Sequence, residues 1–416
     1  MNNIPTKVLI HKNNKLGFIR LINFYSNHKR IILSLILIFS YVLLYLLVDF
    51  SSQSLVAHDE GLYARRSRLL EESFNWFSSP FAEPHHKTLG SYWLIALSIR
   101  LFGNSELALR LPSLLSSFLC LFISYLIALK ISNKNSALIS VLSLSSMPLW
   151  IQYSRYASPD IPFVLCILLI ILLFLNFLET RIYYKKYFYI FFSGLFISIA
   201  FFLRSYMILV PLLGLSPFLL YHLFSSRNLY KIIFTTGIIF GLIPTFLNLF
   251  FSYEKFGLKG ISLLFDFAKE KAIGGLDFNN LLLIPLNYIY LTFPIGILLV
   301  TLLLFTRSDN KTKYPLLLYV YPLISLSILL CMSNTYLHYY LFLFPPLSIL
   351  FSVKLTSHYN RFSISKIIIR YILCFLMISV CSSILYFLLY HKDILIQYSD
   401  GKNLLVYTVL LFLVLS

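Results

Sequence analysis

From Ile31 onward the chain is a succession of apolar runs, most of them close to the roughly 20 residues a helix needs to cross a bilayer. Segmentation predicts about twelve such spans. They cover 31–50, 107–129, 136–153, 160–178, 188–203, 206–224, 232–251, 283–305, 314–332, 339–356, 367–390 and 403–416. Hydrophobic residues make up 59% of the 416 and charged residues only 12%, where a soluble domain carries about a quarter. Water could not be kept off that much apolar surface. The expected fold class is therefore all-α, a polytopic membrane bundle, since inside a bilayer each backbone group has to bond within its own segment.

Charge fixes the expected orientation. The connecting segments 1–30, 130–135, 179–187, 225–231, 306–313 and 354–370 hold 20 of the 34 lysines and arginines and two of the 16 acids, Glu179 and Asp309. They alone carry the formal net charge of +18, because the other 14 basic residues are matched by 14 acids. This is a positive-inside pattern. It places the N-terminus in the cytoplasm and makes the protein a multi-pass component of an inner or plasma membrane. It also explains the high isoelectric point without a nucleic-acid partner, which would need a basic face. Residues 1–30 read as a cytoplasmic basic N-terminus, and 31–50 as a retained span, since the run is full length and ends in an acidic segment. The five cysteines all fall in predicted spans with no metal-ligand spacing, as expected of small packing residues.

Residues 31–416 read as one transmembrane domain with no internal repeat and no linker. Two loops on the predicted outer side are long, 51–106 and 252–282. The first carries a helical pattern at 60–77, with Leu62, Leu69, Leu70 and Phe74 set among Arg65, Arg66, Arg68, Glu71 and Glu72. A second short helix is expected at 91–102, ending at Gly103. Such juxtamembrane helices lie along a membrane surface.

Ionisable residues gather on this outer side. Asp59 and Glu60 follow the first span directly, where a carboxylate can act as a general base or, for Asp59, simply cap the next helix. His85, His86 and Lys87 precede Tyr92 and Trp93. A lysine there suits phosphate and histidines suit divalent transition metals, whereas the aromatic pair fits an interfacial belt. Arg155 and Asp160 bracket a short outer loop and either pair with each other or share a cavity with Asp59. Arg204 ends the 188–203 span, where it needs a partner or water; an interfacial phosphate would satisfy it bidentately, and snorkelling to the headgroups is the plainer reading. Asp266, Lys269, Glu270 and Lys271 fit either a mobile flap or a solvated helix. His338 opens the 339–356 span as a ligand, an acid–base group or an interfacial residue.

Three stretches in order are Asp59-Glu60-Gly61-x-Tyr63-Ala64, His86-Lys87-x-Leu89-x-x-Tyr92-Trp93-Leu94, and Phe102-Gly103-x-Ser105-Glu106-x-Ala108-x-Arg110-Leu111-Pro112-Ser113. With Arg155-x-Ala157-x-x-Asp160, Arg204, and His338-Tyr339 before Pro345-Pro346, this order resembles the lipid-linked-sugar glycosyltransferases of the GT-C fold. The branch it resembles most is the bacterial one related to protein O-mannosyltransferases and the aminoarabinose transferase of lipid A. The resemblance covers roughly residues 40–350. It implies a polyprenyl-phosphate-linked sugar donor and inverting transfer on the extracytoplasmic face. The acceptor would be a glycolipid, a polymer or a protein. By position it implies Asp59, with Glu60 beside it, as the catalytic carboxylate pair and Asp160 as a second cavity acid. Lys87, Arg204, Lys269 and Lys271 would meet the donor phosphate. His86 and His338 stand where some members ligate a divalent metal ion (zinc, manganese or magnesium). No nucleotide is expected at the site. The sequence departs from the family at His86, which replaces a glutamate, and at Thr88-Leu89-Gly90, where two prolines are absent.

Two other classes fit the hydropathy. A transporter or flippase would place ionisable groups or broken helices near the midplane, with repeated halves. A polysaccharide ligase or polymerase would use a lipid-linked oligosaccharide.

Overall fold

The computed structural model describes Leu55 and residues 59–73, 88–273, 292, 295–305, 313–332 and 336–361. All of these lie in the compact unit Ser51–Ser416. Every regular element among them is helical. In chain order they are α1 (Asp59–Ser73), α2 (Gly90–Phe102), α3 (Glu106–Ile131), α4 (Lys134–Ser145), α5 (Pro148–Ser154), α6 (Asp160–Glu179) and α7 (Tyr183–Arg204). Then come α8 (Leu209–Phe224), α9 (Asn228–Gly241), α10 (Ile243–Phe256), α11 (Lys259–Ile273), α12 (Ile295–Phe305), α13 (Tyr321–Leu330) and α14 (Phe344–Arg361). Short 3₁₀ turns at Ser205–Ile208 and Leu337–Leu343 precede α8 and α14, and a π-helical turn at Leu316–Val320 precedes α13. The chain is thus an all-helical polytopic membrane protein. Expected spans 31–50, 367–390 and 403–416 lie outside the described residues.

Among the described residues, five helical stretches are long and apolar enough to cross a bilayer: Glu106–Ile131, Asp160–Glu179, Tyr183–Phe224, Asn228–Phe256 and Leu337–Ser357. Tyr183–Phe224 runs 42 residues, about twice one crossing, and is broken at Ser205, whose φ of 50° is foreign to a helix. That break divides it as the sequence predicts. Elsewhere proline sets the breaks. Met147, extended before Pro148, splits the expected 136–153 span into α4 and α5. Pro244 lacks the amide that would continue the ladder and separates α9 from α10 at Leu242.

Hydrocarbon offers helices no hydrophobic reason to associate, so packing rests on small residues and side-chain hydrogen bonds. The α7–α9 contact uses both. Gly237 and Gly241 stand one turn apart on α9, and a Cβ on Gly241 would lie 2.5 Å from the Phe191 carbonyl oxygen and 2.6 Å from Gly194 Cα. Ser198 donates to the Gly241 carbonyl at 3.0 Å, and Thr245 donates to Ser198 at 2.9 Å. Between α4 and α14, Ser136 and Thr356 share a hydrogen bond of 2.7 Å. At one end of the bundle, Glu179 accepts from Lys130 at 2.6 Å and Lys313 at 2.8 Å. Lys186 caps α6 by donating to the Phe177 carbonyl beneath the rings of Phe177 and Tyr230.

Gly241→Val should drive α7 and α9 apart, at a cost of about 1–3 kcal/mol. Thermal unfolding of the purified variant in detergent should show a lower midpoint, and an unchanged midpoint would contradict the close approach.

Candidate functional site

At the opposite end the first loop is folded onto the bundle. Tyr63, Ala64 and Leu70 of α1, Tyr92, Ile95, Ala96 and Ile99 of α2, Leu109 of α3 and Ala157 form one buried cluster. The α2 helix matches the expected 91–102 element, and Gly103 ends it at φ +82°, a region open to glycine. Burial pushes the Tyr92 hydroxyl pKa up to about 12, partly offset by Arg66 over its ring, so Tyr92 stays neutral and packs as a core residue. The α1 helix is therefore more than an amphipathic helix on the surface. Its inner face is part of the core.

Glu60 is 1% exposed. Arg110 of α3 donates to both carboxylate oxygens, from Nε to Oε1 and from Nη2 to Oε2, each at 3.0 Å. The Ala157 amide donates to Oε1 at 2.7 Å. A bidentate charge-assisted pair is the strong form of this contact. It holds α1, α3 and the 155–159 loop together. The carboxylate of Glu60 is thus occupied by protein donors, which gives it a bracing role beside Asp59. Asp59 is the first residue of α1; its side chain lies outside the described residues.

A polar stripe on α3 continues the brace. Ser113 donates to the Ser158 carbonyl at 2.9 Å, Ser154 donates to Ser117 at 2.8 Å, and the Cys120 thiol lies 3.9 Å from the Ile161 carbonyl. Residues 110, 113, 117 and 120 recur at helical spacing on one face. They hold the loop that leads into Asp160.

Asp160 opens α6, where the helix dipole favours an anion. It does not pair with Arg155, as one reading of the loop expects. Its partner is Arg204, which donates from Nη2 to Oδ1. The pair brings together two residues 44 positions apart at the α6–α7 end. The Arg204 guanidinium also lies over the Tyr339 ring at 5.6 Å. His338 is in the same neighbourhood. Its Nδ1 lies 3.1 Å from the Tyr153 hydroxyl, and its ring meets Tyr339 at 4.7 Å.

The described chain that begins at Thr88 is tied to the same place. Thr88 donates to the Phe201 carbonyl at 3.2 Å. The Gly90 Cα packs so closely on α7 that a Cβ would lie 2.6 Å from the Phe202 carbonyl oxygen. Trp93 meets Phe202 edge-on at 5.6 Å. Lys87 and His86 themselves lie outside the described residues. The α11 helix reaches the site from the other side, with Phe265 against Tyr206 at 4.8 Å. Lys269, one turn further along α11, is exposed. Lys271 lies in the last turn of α11, with its side chain outside the described residues.

Sequence reasoning missed Arg110 as the partner of Glu60 and Tyr153 as the partner of His338. The α3 stripe had a signal, since serines at 113 and 117 interrupt an otherwise apolar span at helical spacing. No group of three or more metal-ligating side chains occurs among the described residues. His86, the other expected ligand, lies outside the described residues.

Residues 86–251 match the family model of the dolichyl-phosphate-mannose-protein mannosyltransferases. Over 136 residues the chain is 31% identical to the undecaprenyl phosphate-alpha-4-amino-4-deoxy-L-arabinose arabinosyl transferase 1 of Pseudomonas fluorescens (strain Pf0-1), which is 32% of this chain and 23% of that protein. A protein of Aquifex aeolicus (strain VF5) is 40% identical over 78 residues, 18% of this chain and 16% of that one. The fold matches ArnT from Cupriavidus metallidurans, solved bound to undecaprenyl phosphate, with a TM-score of 0.63 at 18% identity, covering 79% of this chain and 60% of that one. The chain thus spans about a quarter or less of the length of these curated relatives and three fifths of the ArnT structure. Its architecture is that of a GT-C-fold membrane protein. Over the matched stretches it is similar to the protein mannosyltransferases and to ArnT.

Arg110→Met takes the bidentate arginine from the buried Glu60 carboxylate, at a cost of about 3–5 kcal/mol. Glu60→Gln in the same chain removes the stranded charge and keeps an acceptor for the Ala157 amide. Melting of the purified proteins should rank the double variant above Arg110→Met. The reverse order would show that the pair does not brace the loop.

Proposed function

We propose that the protein is a membrane glycosyltransferase that moves one sugar from a polyprenyl-phosphate donor to an acceptor on the extracytoplasmic face, with inversion. The observation that carries this reading is the convergence at the end of α7. There Arg204 meets Asp160, and Thr88, the neighbour of Lys87, is bonded to Phe201. Arg204, Asp160 and Thr88 thus belong to elements anchored at one end of the bundle. The charge count assigns that end to the outer leaflet. The relatives named for undecaprenyl phosphate sugars support the donor class.

In the proposed reaction, an acceptor hydroxyl or amine attacks the anomeric carbon of the sugar. The bond from that carbon to the phosphate oxygen breaks, and its electron pair leaves with the polyprenyl phosphate. The Asp59 carboxylate takes the acceptor proton. Arg204 and Lys87 stabilise the charge that grows on the phosphate, with Lys269 and Lys271 of α11 as further cations. Such donors act only if held before the reaction begins. The Glu60–Arg110 brace supplies that rigidity to α1, and the polar stripe of α3 supplies it to the loop before Asp160. Asp160 in turn orients Arg204. A divalent ion at His86 and His338, as some GT-C members use, would add a Lewis acid near the phosphate, and no step here depends on it. The acceptor is a glycolipid, a wall polymer or a protein in the outer leaflet region.

The test incubates purified protein with defined undecaprenyl-phosphate sugars and a membrane extract, with products read by mass spectrometry. Arg204→Gln should lower transfer by about 10²–10³-fold, the usual loss for one such donor, and Asp59→Asn should abolish most of it. Sugar transfer at wild-type rates by Asp59→Asn would overturn the assignment. Absence of sugar release from every donor by the wild-type protein would instead favour lipid transport.

A further inference from the structure

The other end of the bundle carries a cation cluster that the proposed reaction does not use. Lys130 lies in the last turn of α3, Glu179 is the last residue of α6, and Lys313 stands just before the π-helical turn. Lys130 donates to Glu179 Oε2 at 2.6 Å, and Lys313 donates to Oε1 at 2.8 Å. Two ammonium groups from different parts of the chain are thus held on the two oxygens of one carboxylate. Both reach the surface, with the Lys313 side chain 50% exposed and that of Lys130 25% exposed. An ammonium has three N–H groups, and each lysine spends one on Glu179. Lys313 also lies over the Tyr314 ring at 5.1 Å.

Exposed ion pairs of this kind add little stability. Their geometry has another use. Two lysines and one glutamate leave one positive charge, and Glu179 holds both lysine heads in place before any other anion arrives. A phosphodiester carries a single negative charge and matches that remainder, whereas a phosphate monoester exceeds it. The surroundings suit a phosphodiester that belongs to a lipid. Ile182, Tyr183 and Tyr184 follow Glu179 closely and are exposed, as rings at a membrane interface are. Along α3, Leu115, Leu119, Phe122 and Leu129 are exposed at helical spacing, and this apolar stripe ends one residue before Lys130. Paired cations, interfacial rings and an apolar track occur together, which is how basic sites between membrane helices take lipid headgroups.

We propose that Lys130, Lys313 and Glu179 form a headgroup site for an anionic glycerophospholipid. The phosphodiester lies against the two ammonium groups, and an acyl chain runs along the α3 stripe. This site is independent of the glycosyltransferase reading. Its occupant ties α3, α6 and the segment before α13 together at the end opposite the Glu60–Arg110 brace.

The experiment measures lipid binding to the detergent-purified full-length protein by native mass spectrometry. The probes are phosphatidylglycerol and phosphatidylcholine, which share a phosphodiester and differ in net charge. The wild-type protein should bind phosphatidylglycerol more tightly. Lys313→Met, at an exposed side chain, should weaken that lipid about fivefold, the usual contribution of one lysine at an anionic surface, and leave phosphatidylcholine unchanged. Lys185→Met removes an exposed cation of α7 outside the cluster and should change neither lipid. Glu179→Gln raises the local charge by one but releases both lysines. A preorganised pair therefore predicts weaker phosphatidylglycerol binding, where a diffuse basic surface predicts tighter binding. If Glu179→Gln fails to fold, the two lysine variants decide. Equal binding of both lipids by the wild-type protein, equal losses in Lys185→Met and Lys313→Met, or tighter binding by Glu179→Gln would each overturn the site. Displacement of phosphatidylglycerol by an equal concentration of inorganic phosphate would overturn the lipid as its occupant.

Discussion

A buried carboxylate gripped by Arg110 and the Ala157 amide decides where the rest of this site can be. Glu60 and Arg110 sit in a part of the molecule with little water to screen them, 1% and 3% exposed. Each charge alone would be costly there. Together they lock α1 to α3, and the Ala157 amide draws in the loop before α6. Asp59 precedes Glu60 by one residue and Asp160 follows Ala157 by three. The brace therefore fixes two acidic positions from opposite sides. Such a pair adds little net stability over an apolar substitute. Its use here is geometric.

The same economy holds across the bundle. Serine and glycine make close contacts between helices alongside the aromatic ones, as the α7–α9 approach and the α4–α14 hydrogen bond illustrate. Leu115, Leu119 and Phe122 of α3 point away from the core and are exposed, as lipid-facing residues should be. The fold thus separates two tasks. Apolar residues choose the bilayer, and small polar residues choose the neighbours.

That separation explains what could be read from the sequence. Hydropathy was enough for an all-helical membrane bundle and for the limits of α2, α3 and α6, because the lipid responds to each helix singly. The break of α7 at Arg204 was legible from the charge at its end. Pairings between helices were not legible. Nothing local to Asp160 distinguishes Arg155, five residues away, from Arg204, 44 residues away, and the structure chooses Arg204 because α6 and α7 pack side by side. Glu60 read as a catalytic group because an acid after a first span is unusual, and its arginine lies 50 residues further on. The α3 serine stripe was visible as a periodic interruption, but its partner loop was not.

The central claim is that a lipid phosphate is gripped at the braced end of the bundle, by Arg204. The measurement that tests it most directly is a structure of this protein solved with undecaprenyl phosphate. The phosphate should lie within hydrogen-bond distance of the Arg204 guanidinium, at the α6–α7 end, with the Glu60–Arg110 pair intact. A phosphate bound at the Glu179 end, or one at the braced end that leaves Arg204 untouched, would contradict it.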